Sequence, residues 1–265
     1  MAPIRAVSFD AGQTLVHPEP SVESVYRESF ARHGLVVSAD DVRRAVHATW
    51  SDVNARAAAG APDRWRGEDG QRRSRAPREP TSADAPDTSS VGLPQAEHGF
   101  WRRFVAHIYA GCGGGETPEA LLAELVAYFA DESHWAVYPD ARAVIGELKA
   151  RGLTLLVISN WDSSLPALLH RLELAPLFDF VVVSAVVGHS KPSGRIFEEA
   201  LRLVELPAPA VLHVGDSLKD DYDGARAAGL AALLLDRHGR APEGVEAIRS
   251  LTEIPERIAS LAESA

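Results

Sequence analysis

From residue 139 onward the chain alternates helix and strand without interruption, and this rhythm limits the fold more than any other feature. Helical patterns over 139–151, 163–172, 194–205 and 218–228 are separated by strand patterns at 153–159, 180–184, 211–215 and 231–235. The strands are apolar along their whole length rather than at every second residue. A strand of that kind is buried on both faces, and alternation with helices places it in a parallel sheet covered on both sides. Residues 4–9 have the same character and are expected to join the sheet. The expected fold is α/β, a doubly wound parallel sheet.

Between the first strand and the rest lies a stretch of different composition. Helical spacing of apolar residues runs over 21–33, 39–59, 97–110 and 118–131, with Gly34 at a helix stop and the glycine-rich Gly111-Cys112-Gly113-Gly114-Gly115 as a hinge. Thr117 is placed to cap the last of these helices, with Pro118 at its first position. Leu121, Leu122, Leu125, Val126 and Phe129 form that helix's buried face. Trp50, Trp101 and Trp135 are assigned to the helical core. These segments predict a second, all-helical domain over 18–134, inserted into a core built from 1–17 and 135–265. Within it, residues 60–95 carry prolines 62, 77, 80, 86 and 94 among Arg, Ser, Asp and Gly, with no apolar face, and read as a flexible insertion. Its arginines are interleaved with acids, so a solvated linker fits better than an anion-binding arm.

Composition narrows the function. Lys plus Arg number 27 against 37 Asp plus Glu, a formal charge of −10 without a basic stripe. Such a chain is a poor binder of nucleic acid or of an anionic membrane surface. The longest apolar runs, near 153–158 and 178–187, fall far short of the ~20 residues that span a bilayer. Asp10 interrupts the first apolar stretch, so no signal-peptide core is expected, and Cys112 alone excludes a disulfide framework. The expectation is a cytoplasmic enzyme or binding protein, its oligomeric state open.

In doubly wound sheets, ligands sit at the carboxyl ends of the strands. Those ends carry Asp10, then Ser159 and Asn160, then Ser184, then Gly215 and Asp216, while Lys191 and Pro192 directly precede a helix. Two carboxylates, a hydroxyl and an ammonium on one edge suit a magnesium ion with a phosphoryl group. Carboxylates hold the hard cation, and the hydroxyl, lysine and helix N-terminal amides hold phosphate oxygens.

Four ordered segments carry a resemblance. Phe9-Asp10-Ala11-Gly12-Gln13-Thr14-Leu15 resembles the first motif of the haloacid dehalogenase-like (HAD) hydrolases, and Ile158-Ser159-Asn160 their second. Lys191-Pro192-Ser193-Gly194-Arg195-Ile196-Phe197 resembles the third motif, and Gly215-Asp216-Ser217-Leu218-Lys219-Asp220-Asp221 the fourth. The match covers about half the chain, and the helical insertion is similar to the cap of the branch whose cap follows the first motif. The resemblance implies that Asp10 is a nucleophile forming an aspartyl-phosphate, and that Ser159 and Lys191 serve catalysis. It implies a phosphate site from Thr14, Ser159, Asn160 and Lys191. It also implies Mg2+ held by Asp10, the Gly12 carbonyl, Asp216 and, in support, Asp221. The implied substrate is a small phosphorylated molecule.

One position departs from the pattern. Phosphatases of this family usually carry a second aspartate two residues after the nucleophile, as general acid–base, and here that residue is Gly12. Such a group is worth ~10²–10⁴-fold in rate. Three explanations stand open: a leaving group that needs no proton, substitution by His17 or Asp162, or binding without efficient turnover. The metal-free 2-haloacid dehalogenases, whose second motif Asn160 resembles, form the alternative activity, against which Asp216 argues. A Schiff-base mechanism fails because Lys149, Lys191 and Lys219, the only lysines, all lie outside the expected cap. Trp161 is placed near the mouth of the site, and Asp220 in an exposed turn.

Overall fold

The computed structural model describes residues 3–58 and 95–263. The polar insertion expected at 60–95 lies outside the described residues, apart from Gln95. A six-stranded parallel sheet forms the core: β1 (Ala6–Phe9), β4 (Thr154–Ser159), β5 (Phe180–Val183), β6 (Val211–Gly215), β7 (Ala231–Leu235) and β8 (Ala247–Ile248). Their spatial order is β5-β4-β1-β6-β7-β8, so all strands run parallel while the direction in which successive strands are added reverses between β1 and β6. This is the doubly wound arrangement, and ligands bind outside the strand ends at that reversal.

The pleat explains the uniform apolarity of the strands. Val7 and Phe9, Leu155 and Val157, Leu212 and Val214, and Leu233 and Leu235 enter one buried cluster. That cluster is shared with α5 (Ala141–Ala150), α6 (Leu165–Arg171) and the helix α10 (Ile254–Glu263). The intervening Ala6, Leu156, Ile158, Val211, Ala232 and Leu234 enter a second cluster on the opposite face. There α8 (Gly194–Val204) contributes Ile196, Phe197 and Ala200, and the short α9 (Gly224–Ala227) contributes Ala225.

Among the described residues four α-helices lie between residues 18 and 135: α1 (Val22–Arg32), α2 (Ala39–Ala58), α3 (Gln95–Gly111) and α4 (Glu119–Ala130). They share a separate core of Tyr26, Phe30, Phe100, Phe104, Ile108 and Leu121 among others. Two short strands, β2 (Val16–Pro18) and β3 (Trp135–Val137), pair antiparallel where the chain enters and leaves this bundle. Three-residue strands carry no readable period, and the sequence gives no sign of them.

Several local expectations are corrected. Thr117 does not cap α4. Pro118 takes the N-cap position in extended conformation and supplies no side-chain cap bond. On α4 Leu121, Leu122 and Leu125 are buried, while Val126 and Phe129 pack only partly buried. Trp135 belongs to β3 and packs against the sheet, not within the bundle. The expected helix 218–228 opens as a wide π turn over Leu218–Asp223 before α9 begins. No helix among the described residues is long and apolar enough to cross a membrane.

Candidate active site

The end of β1 is set by its partners. Asp10 N donates to Val214 O at 2.9 Å, the last rung towards β6, and the chain then turns sharply through Gln13, whose φ is 56°. Arg237 holds this turn from behind. Its guanidinium donates to Thr14 O at 3.1 Å and to both oxygens of Asp140 at 2.9 and 3.0 Å, and lies 3.9 Å from the centre of the Tyr138 ring. The Asp10 carboxylate consequently projects at a fixed place beside the β1–β6 reversal.

Lys191 occupies the centre of the site. Only 1% exposed, its Nζ donates to Asp10 Oδ1 at 2.6 Å, to Asp221 Oδ1 at 2.5 Å and to Ile158 O at 2.8 Å. All three donor positions of the ammonium are thereby satisfied, as a buried lysine requires. Ser159 Oγ donates to the same Asp10 oxygen at 2.9 Å. Asn160 acts on the backbone of Lys191: Oδ1 accepts from Lys191 N at 2.7 Å and Nδ2 donates to Lys191 O at 3.0 Å. The loop that delivers the lysine is clasped to the end of β4 by this pair, and both ends of the Asn160 amide are engaged there.

Asp221 reaches the site from the π turn. Its Oδ1 receives Lys191 and, at 3.1 Å, His213 Nε2, and its Oδ2 accepts from Ser217 N at 2.9 Å. A side chain on Gly215 would collide with Asp221, so glycine at the end of β6 makes room for this carboxylate. Ligand atoms of Asp10, Asp216 and Asp221 lie within 4.8 Å of one another.

Charges of one sign this close perturb each other. Burial raises the Asp10 carboxyl, Asp221 adds to the rise, and Lys191 and Ser159 oppose it. Asp216 is raised well above the ordinary carboxylate range by desolvation and by the charges of Asp10 and Asp221. Burial also acts to raise Asp221, but the Lys191 charge and the His213 hydrogen bond outweigh it and hold this carboxyl down. Lys191 is held protonated by its two carboxylates against the effect of burial. Three carboxylates against one ammonium leave negative charge that a hard divalent cation would neutralise, and an all-oxygen donor set suits such a cation.

The structure brings together Asp10, Ser159, Lys191, Asp216 and Asp221. It does not bring in Thr14, whose Oγ1 is sealed from solvent with no hydrogen-bond partner among the described residues. The two substitutes considered for the missing acid are engaged elsewhere. Asp162 accepts from Trp101 Nε1 at 2.7 Å and from the backbone and hydroxyl of Ser164. His17 packs on the Tyr138 ring at 4.5 Å and contacts Pro18 O through Nδ1 at 3.2 Å.

Sequence reasoning missed Ser8 and His213. They are register partners across β1 and β6, both fully buried, and Ser8 Oγ meets His213 Nδ1 at 2.9 Å. Burial lowers the His213 imidazole pKa, so a neutral ring links Ser8 to Asp221 beneath the lysine. The available signal was one polar residue at the same height in each of two apolar strands.

Comparison with known proteins bears on the family and the fold. Over 147 residues the chain is 36% identical to haloacid dehalogenase-like hydrolase domain-containing protein 3 of Bos taurus, covering 55% of this chain and 59% of that protein. It is 35% identical over 134 residues to a phosphoserine phosphatase of Thermus thermophilus, covering 50% of this chain and 53% of the relative. These alignments thus span little more than half the length of such relatives. Among solved structures, the putative HAD-hydrolase YfnB of Bacillus subtilis, crystallised with magnesium, superposes with a TM-score of 0.69 at 17% identity, covering 97% of this chain and 99% of that one. The L-2-haloacid dehalogenase of Xanthobacter autotrophicus gives 0.67 at 19%, covering 97% and 99%, so the chain shares its fold with both. The model of the haloacid dehalogenase-like hydrolases matches residues 4–229, and the chain belongs to that family.

Proposed function

We propose that the protein is a Mg2+-dependent phosphatase of a small phosphorylated metabolite, working through an aspartyl-phosphate on Asp10. The observation that carries this reading is the buried Lys191 ammonium shared between Asp10 and Asp221, with Asp216 alongside. Ser159 and Lys191 both contact Asp10 Oδ1, so Asp10 is oriented and its charge partly offset before substrate arrives. When substrate arrives, the Ser159 hydroxyl and the Lys191 N–H that now donates to Asp10 can turn to oxygens of a phosphoryl group as negative charge spreads over them, and phosphoryl transfer consists mostly of such positioning and neutralisation. Asp10, Asp216 and the Gly12 carbonyl would hold the magnesium, which supplies the positive charge that lets a phosphate approach a carboxylate. Asp221, with both oxygens engaged, positions Lys191. The helices α1–α4 serve as a cap that selects substrate and excludes water. Phosphatase-named relatives, the Thermus protein among them, favour phosphate over halide chemistry.

The decisive experiment is phosphate release from p-nitrophenyl phosphate and from an alkyl phosphate, with and without Mg2+, and with Asp10→Asn as blank. Magnesium-dependent release that the variant lacks is expected. Halide release from a 2-haloacid, with no phosphate from either ester, would overturn the proposal in favour of dehalogenation. The metal is tested separately from turnover. Mg2+ should raise the melting temperature of the wild type by mass action and leave that of Asp216→Asn unchanged.

A further inference from the structure

An indole lies against the position at which the family carries its second aspartate. A β-carbon on Gly12 would lie 3.3 Å from Cζ3 of Trp161, inside the 3.5–4.0 Å of optimal carbon contact. The ring is held in place through its backbone: Trp161 N donates to Ser184 Oγ at 3.1 Å, and Trp161 O accepts from Ser184 Oγ at 3.0 Å and from Ala185 N at 3.2 Å. Behind it Trp135 packs at 5.1 Å between ring centres, at 51°. Trp135 is fixed in turn by its Nε1, which donates to Phe129 O at 3.0 Å, and by ring contact with Phe129 at 6.1 Å. A row of three aromatic rings therefore runs from α4 to the turn beside Asp10. Its inner member is only half-buried, while Asp162 and His17 are engaged elsewhere.

Resting on the phosphatase reading, we infer that Trp161 is a specificity-determining residue that seats the leaving group of an aryl phosphate monoester in the place of a general acid. In the first step an Asp10 oxygen bonds to phosphorus and the ester P–O bond breaks, its electron pair leaving on a phenolate oxygen. The conjugate acid of a phenolate has a pKa of about 10, so phenolate is a far weaker base than an alkoxide and can leave without a proton delivered in the step. A departing alkoxide is about as basic as hydroxide, whose conjugate acid lies near 15.7, and needs a proton; the two candidates for supplying it, Asp162 and His17, are engaged elsewhere. In the second step water attacks phosphorus, the aspartyl P–O bond breaks with its electron pair returning to Asp10, and the proton lost by water leaves with the phosphate. The ring face contributes what the acid does not: offset or edge contact with an aryl group, worth about 2- to 12-fold in affinity.

The test separates this inference from the reading beneath it. Phenylphosphonate and methylphosphonate, whose C–P bonds resist hydrolysis, are titrated with Mg2+ into the full chain by calorimetry. The wild type is expected to prefer the phenyl compound by about 10-fold or more, Trp161→Phe to keep most of that preference, and Trp161→Leu to lose at least 5-fold of it. An equal preference in wild type and Trp161→Leu overturns the inference, even if phosphate is released normally. Conversely, a Trp161-dependent preference without phosphate release from any ester leaves the aryl site standing and removes the phosphatase. In kinetics, kcat/KM should fall steeply as leaving-group pKa rises. Gly12→Asp should flatten that dependence more in combination with Trp161→Leu than alone, because the indole then no longer crowds the new side chain. A flat dependence in the wild type would show that an acid is present after all, and would also overturn the inference.

Discussion

The helical bundle and the sheet edge are held together by opposite means. The bundle's interior is apolar and rich in rings: Phe30 meets Tyr109 at 5.0 Å and Trp50 meets Phe104 at 4.5 Å. Its ion pairs, such as Arg43 with Glu23 and with Asp40, lie on the outside. The sheet edge buries its charges, in a chain from Ser8 through His213, Asp221 and Lys191 to Asp10. An apolar interior is paid for by volume and accepts any side chain of similar shape. A buried ionic chain depends on each member, because removing one leaves its neighbour charged and unpaired. The bundle can therefore vary where the sheet edge cannot, and on the proposed function the chemistry lies with the edge that cannot vary.

The comparison predicts unequal responses to substitution. Lys191→Met leaves Asp10 and Asp221 buried without their counter-ion, and should cost about 3–5 kcal/mol in urea unfolding at pH 7 and abolish turnover. Asp221→Asn in the same chain should recover part of that loss. A cost below about 1 kcal/mol for Lys191→Met would show that the network contributes little to stability. In the bundle, Ile108 is fully buried, yet Ile108→Val should cost only about 0.5–1.5 kcal/mol. Lys191→Arg is the matching conservative change at the sheet edge. It should cost more, because a planar fork cannot replace a point donor between two carboxylates and a carbonyl. Equal costs for these two variants would erase the distinction.

The same difference governs what was legible in the sequence. Strands buried on both faces must be apolar throughout, so Asp10, Ser159 and Asp216 stood out at their ends and Lys191 just ahead of a helix, and the sheet followed from the rhythm. The bundle was legible as helices, but Trp135 was misplaced because a lone aromatic near a helix end does not reveal which core receives it. The β2–β3 ribbon is too short for a period, and the two-residue β8 shorter still. The π turn depends on Asp221 folding back beneath Gly215, a tertiary demand that helical spacing does not register. The motif places Asn160 among the expected phosphate ligands and does not reveal its contacts within the fold. Those with the Lys191 backbone arise only when two loops about 30 residues apart meet.

The smallest effect lies on the bundle surface and has a definite sign. Partial burial acts to raise the Glu124 carboxyl, but hydrogen bonds from Arg32, Ser29 and His33 together outweigh it and bring it to about 2. Arg32 Nε and His33 Nε2 each approach it at 3.0 Å. In the unfolded chain the same carboxyl titrates near 4.3. Between those values the unfolded state binds more protons, so the contribution is fully present above about pH 5 and is lost as pH falls towards 2. Arg32 is more than half exposed, and screening should hold the whole contribution below about 1 kcal/mol. Unfolding of wild type and Glu124→Gln, compared from pH 7 down to pH 3, should show a small gap that narrows to about half at the acid end. A gap that widens there would mean that the bundle, like the sheet edge, relies on charges it has buried.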